Sequence, residues 1–132
     1  MRTLLSIALA AILAATHVVN ASAETLTAKA NTVNSVGFFY FYSALGYGCN
    51  TAGKPKVRIL REPEHGTLRT EWRQGTLGKA GGCKGKPGKG LAVWYTPAKG
   101  YRGPDKFRFL MSVPGFGSAT NSKDWGFKVT VE

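Results

Sequence analysis

Acidic residues are scarce in this chain: seven Asp and Glu stand against 18 Lys and Arg in 132 residues, a formal net charge of +11. Glycoside hydrolysis needs two carboxylates across a cleft, and only Glu62 with Glu64, or Glu64 with Glu71, offer such a pair. Their neighbours Arg61, Arg69 and Arg73 account for them better as surface ion pairs. Histidine is rarer still, with His17 near the start and His65 beside Gly66 in a turn-like stretch, so a Ser-His-Asp or Cys-His set has only His65 to draw on. Cysteine is limited to Cys49 and Cys83, too few with one downstream histidine for a structural metal site. No Gly-Lys pair is followed by Ser or Thr, and no strand-loop-helix context exists, which excludes a phosphate-cradling nucleotide loop. Convincing helical periodicity is missing beyond the first residues. These absences imply no cofactor and point away from an enzyme.

One apolar run exists, over residues 4–15, after Arg2 and before Ala21-Ser22-Ala23, the small-x-small pattern that signal peptidase accepts. Cleavage is expected after Ala23, giving an exported chain that is periplasmic or secreted; an uncleaved anchor is the alternative. The run is shorter than the roughly 20 residues a membrane span needs, and no later segment reaches that length. Removing 23 of 132 residues leaves 109, the size of one domain over residues 24–132. An oxidising compartment favours a Cys49–Cys83 disulfide.

All seven Phe, five Tyr and three Trp follow Val36, so the core is aromatic-rich. Strand signals recur at short intervals with Gly and Pro between them. Leu26, Ala28 and Ala30 alternate with polar neighbours, and residues 36–42 form a nearly continuous aromatic run. Val57 and Ile59, a turn over residues 62–66, and Leu68, Thr70 and Trp72 read as a hairpin with Arg69, Glu71 and Arg73 on its wet face. Three further runs alternate: Leu91, Val93, Tyr95; Phe107, Phe109, Met111, Val113; and Phe127, Val129, Val131. Seven or eight strands are too many for one open sheet to cover its own apolar face, so two packed sheets, an all-β sandwich of antiparallel strands, are expected.

The stretch from Tyr95-Thr96-Pro97 through Gly100-Tyr101-Arg102-Gly103 to Asp105-Lys106-Phe107 resembles the Y-T-P-x-x-G-Y-x-G-x-D-x-F signature of bacterial cadherin-like and immunoglobulin-like repeat domains. Pro63-Glu64-His65-Gly66-Thr67-Leu68 is similar to the P-x-x-G-T-hydrophobic hairpin that precedes that signature. The resemblance implies an immunoglobulin-like sandwich with a structural corner at Tyr101, Asp105 and Phe107: a hydroxyl bonded to backbone, a carboxylate accepting from turn amides, a ring entering the core. Such domains serve adhesion, spacing and binding alike. The chain departs from the family in having a single copy, a basic balance and a cysteine pair. Calcium binding does not carry over, because clustered carboxylates are missing.

Residues 78–90 hold six Gly, four Lys and Cys83, a composition expected to form a mobile basic loop pinned by the disulfide. Lys79, Lys84, Lys86 and Lys89 are candidate contacts for an anionic partner such as an envelope polysaccharide, lipopolysaccharide or nucleic acid; the bland reading is a solvated loop and a charge that serves solubility. Strand parity sets Trp94 opposite Val93 and Tyr95, making it the candidate exposed aromatic, and Phe116 sits among glycines as a candidate loop-tip contact or a ring folded back on the core. The expected function is a non-catalytic binding or envelope-associated module for an anionic partner. The alternative is a structural or adhesion module acting through protein contacts at a sheet edge or loop tip.

Overall fold

A computed structural model describes residues 23–42, 49–78, 82–115 and 119–132. They form seven strands and no helix: β1 Glu24–Ala28, β2 Asn34–Phe39, β3 Lys56–Arg61, β4 Gly66–Thr76, β5 Pro87–Pro97, β6 Gly103–Pro114 and β7 Thr120–Val131. One sheet has the order β1-β7-β6-β3 and the other β2-β5-β4. The chain is therefore an all-β sandwich. The leader up to residue 22, Lys79 and Phe116 lie outside the described residues.

Period-two alternation builds the core. Leu91, Val93 and Tyr95 of β5 face Phe107, Phe109 and Met111 of β6 and Phe127, Val129 and Val131 of β7, all buried in one cluster. Phe39 bridges the layers, its ring edge-on to Phe109 at 5.3 Å and to Trp125 at 5.0 Å. The disulfide Cys49–Cys83 is formed, with Cα atoms 5.3 Å apart.

Three features differ from the sequence reading. β1 pairs with β7 in parallel, Leu26 beside Val129, where antiparallel pairing was expected throughout. No hairpin joins these two strands, since they are the first and last of the described strands, so direction is set by packing alone. Second, β3 and β4 are not a hairpin: β3 pairs with β6, and β4 with β5 in the other sheet. The turn between them crosses the end of the sandwich because its amides are claimed elsewhere. Glu64 N donates to Asp105 Oδ1 and His65 N to Asp105 Oδ2, both at 3.0 Å, while Ala98 N donates to the His65 carbonyl at 2.8 Å. Third, the loop assigned to residues 78–90 is shorter. The β4–β5 ladder runs out to Thr76 opposite Pro87, placing Lys89 in a strand opposite Gln74. Backbone pairing needs no apolar side chain at every position, and Leu77, 1% exposed, anchors the hairpin end.

Gly66 opens β4 opposite Pro97, where a Cβ would stand 2.6 Å from the Thr96 carbonyl oxygen and 2.6 Å from the Tyr95 ring. The obstacle is backbone and a buried ring, neither of which can yield. Gly66→Ala is expected to cost about 1–3 kcal/mol by overpacking, read as a lower urea midpoint with an unchanged slope.

Candidate anion-binding surface

The outer face of the four-stranded sheet collects cations from three strands. On β6 and β7, Lys106 stands directly opposite Lys128, and Leu110 opposite Asp124. On β3 and β6, Lys56 stands opposite Ser112 and Arg58 opposite Leu110, and a bulge after Ile59 sets Arg61 opposite Arg108. All six cations are exposed. Two have acidic partners. Arg108 grips Asp124 bidentately, Nε donating to Oδ1 at 2.7 Å and the guanidinium also to Oδ2, and this pairing raises the arginine's pKa. Arg61 lies 3.5 Å from Glu64. Lys56, Arg58, Lys106 and Lys128 have no acidic partner within ion-pairing distance among the described residues.

Like charges directly opposite on neighbouring strands destabilise a sheet, by about 0.2–1 kcal/mol per pair. Lys106 with Lys128 is such a pair, whereas the opposed Arg61 and Arg108 are each balanced by their own carboxylate, Glu64 and Asp124. A partner that brings negative charge turns the lysine pair from a cost into an attraction.

Of the sequence-expected contacts, the described ones, Lys84, Lys86, Lys89 and Trp94, belong to the three-stranded sheet and its hairpin end. Lys84 and Lys86 belong to the turn at the end of the β4–β5 hairpin, where Leu77 N donates to the Lys86 carbonyl and Lys86 N to the Cys83 carbonyl. Lys89 is on β5 and its amide donates to Thr51 Oγ1 at 3.2 Å. All three lysines are exposed. Trp94 is on the outer face of the three-stranded sheet, half-buried, with the Arg69 guanidinium 4.2 Å and that of Arg73 5.6 Å from its ring centre. Two arginines thus occupy the aromatic surface that Trp94 offers.

At the end of the sandwich, Asp105 is 8% exposed and fully used. Besides the two amides of the β3–β4 turn, it accepts the Tyr95 hydroxyl at 2.8 Å and the Lys106 amide at 2.8 Å. Burial pushes its carboxyl up, but the hydrogen bonds from Tyr95, Lys106, Glu64 and His65 outweigh that and hold its pKa below the ordinary value. Burial and the same carboxylate push the Tyr95 hydroxyl up, keeping it a donor. Tyr101 stacks on His65 with ring centres 4.0 Å apart and donates its hydroxyl to the Pro104 carbonyl. Phe107, 1% exposed, stacks between Tyr95 and Phe127. His65 and Asp105 are thus held in structural contacts.

Alternating Lys and Arg at positions 56 and 58, 106 and 108, and at 128 were readable in the sequence. Their convergence was not, because it depends on β3, β6 and β7 being neighbours. Among the described residues no group of three His, Cys, Asp or Glu is placed to hold a metal ion, and no helix is long and apolar enough to cross a membrane.

No family model matches the chain, and no curated protein matches it. Among solved structures it is similar to the solution structure of amebosin, at 15% identity and a TM-score of 0.47, over 82% of this chain and 88% of that one. Fold and surface together define a class: a disulfide-bonded β-sandwich with one strongly cationic sheet face.

Proposed function

We propose that the chain is an exported, non-catalytic binding module of immunoglobulin-like type that engages an anionic partner through the outer face of its four-stranded sheet. The observation that carries this reading is the set of four exposed cations without acidic partners, with Lys106 set directly against Lys128. A fold selected for stability alone gains nothing from opposed like charges, whereas a phosphate- or carboxylate-rich surface is attracted by them. Lys84, Lys86 and Lys89 add to the attractive field from the hairpin end. Export rests on the leader over residues 1–23, and the single repeat-like signature at residues 95–107 supports the immunoglobulin-like frame without choosing between binding, adhesion and spacing.

The test is binding of the mature protein to anionic envelope polysaccharide, lipopolysaccharide and nucleic acid at low and high salt. Saturable binding to at least one, falling steeply as salt rises, is the expected result. Association that ignores salt would transfer the function to protein contacts, and no binding to any of the three would reduce the charge to a solubility device.

A further inference from the structure

A sandwich of two open sheets has four edge strands, here β1 and β3 in one sheet and β2 and β4 in the other. Edges template further pairing, and proteins blunt them with charge. β3 carries Lys56, Arg58 and Arg61; β4 carries Arg69, Glu71 and Arg73; β1 is short and opens on Glu24. β2, Asn-Ser-Val-Gly-Phe-Phe, has no charge at all. Among the described residues it is hydrogen-bonded into its sheet by β5 alone.

The space beside this uncharged edge is shaped. β1 pairs with β7 only from Phe127 onward, so Thr120 to Gly126 of β7 has β6 as its one strand partner among the described residues. A groove of about 510 Å³ runs along β2 between these elements. Phe39, Phe41 and Trp125 line it and pack on the core behind; Phe38, Tyr40 and Tyr42 line it as a ring-to-ring series at 6.0 and 5.6 Å. Two charges border it. Lys123 sits with its ammonium 5.0 Å from the Trp125 ring centre, and Glu24 lies beside Phe127, four residues further along β7.

We infer that this groove accepts an extended segment of a partner polypeptide, added as a strand to the free edge of β2, with an acidic residue at the Lys123 end and a basic one at the Glu24 end. The edge of β2 from Asn34 to Phe39 accommodates about six residues at roughly 3.3 Å each, and past it Phe41 and Tyr42 pair with Ala52 and Thr51. Alternate apolar side chains of the segment fall on the Phe39, Phe41 and Trp125 side, and backbone pairing supplies the rest of the affinity. The reversed charges at the two ends select the direction of the segment. A second copy of this chain is the poorer occupant, because the full chain carries a net charge of +11, still +10 once Arg2 leaves with the leader, and the copies repel. The inference is independent of the anion-binding face, which lies on the outside of the other sheet.

The experiment uses the mature protein and a panel of eight-residue peptides that alternate Thr with Val, Leu, Phe or Tyr, carrying Asp at one end and Lys at the other. Titration calorimetry is paired with amide hydrogen exchange. At least one peptide is expected to bind and to slow exchange in residues 35–39 tenfold or more. N-methylation of one alternate set of its amides is expected to weaken binding at least tenfold, and methylation of the other set to leave it nearly unchanged. Exposed Lys123 can be reversed without harm to the fold, and Lys123→Glu, which leaves both ends of the groove acidic, is expected to favour a peptide carrying Lys at both ends over either Asp/Lys peptide. Three results would overturn the inference: no peptide binding at millimolar concentration, equal tolerance of both methylation sets, or protection of residues 35–39 by self-association of the free protein. Polyanion binding measured on the same samples stands or falls separately.

Discussion

Replacing Lys56, Arg58, Lys106 and Lys128 with glutamine together is expected to weaken binding to the preferred polyanion by about a thousandfold while leaving the melting temperature unchanged or slightly raised. The two signs come from one geometry. Each cation near an anionic surface contributes about 1 kcal/mol, so four contribute about 4 kcal/mol, or roughly three powers of ten in affinity. In the free protein these groups have no acidic partner to lose, and Lys106 is directly opposed to Lys128. Neutralising that opposition relieves about 0.2–1 kcal/mol of cross-strand repulsion. Glutamine keeps the first two methylenes of each aliphatic stem, the part nearest the sheet, so little packing changes. Binding isotherms at several salt concentrations and a thermal melt make the measurement, and the salt slope should flatten by about one for each contact removed. A variant that binds as tightly as the parent would strip the face of its role; one that binds weakly but also melts early would make the loss a folding effect.

The second large effect is at the sandwich end. Asp105→Ala is expected to lower stability by about 3 kcal/mol and the melting temperature by roughly 10–20 °C, because it leaves the buried Tyr95 hydroxyl and the Glu64 and His65 amides without their acceptor. pH supplies a second readout. Folding lowers the Asp105 pKa, so the unfolded chain holds this proton more tightly than the folded one. Its contribution is therefore complete above the unfolded value of about 3.9 and is lost as pH falls through the lower, folded value. The stability gap between parent and Asp105→Ala should be widest at neutral pH and close below about pH 4. Asp105→Asn, which keeps an acceptor oxygen, should fall between the two and lack that acid-side slope. A gap independent of pH would show that packing, and not the carboxylate, holds the corner.

The alternation of Leu91, Val93 and Tyr95, of Phe107, Phe109 and Met111, and of Phe127, Val129 and Val131 was legible because side-chain period two is a local property, and each run is buried in the structure. Pairing is not local. Val57, Ile59 and the run from Leu68 to Trp72 looked like one hairpin because a turn separates them, yet Asp105, some forty residues downstream, takes the turn's amides and sends β4 to the opposite sheet. The candidate site was partly hidden for the same reason. The lysines between residues 78 and 90 drew attention because they are adjacent in sequence, while Lys106 and Lys128, 22 positions apart, meet only through the β6–β7 ladder.

What the sequence determined by itself was the class of fold, the disulfide and the strongly positive surface, because alternation, cysteine count and charge are sums over the chain that any arrangement must respect. What the tertiary structure alone decided was which strands are neighbours, and with that the parallel β1–β7 pair, the opposed lysines and the uncharged β2 edge beside its aromatic groove. Those depend on where distant segments pack, a choice made by hydrogen bonds and burial between residues that no local pattern connects.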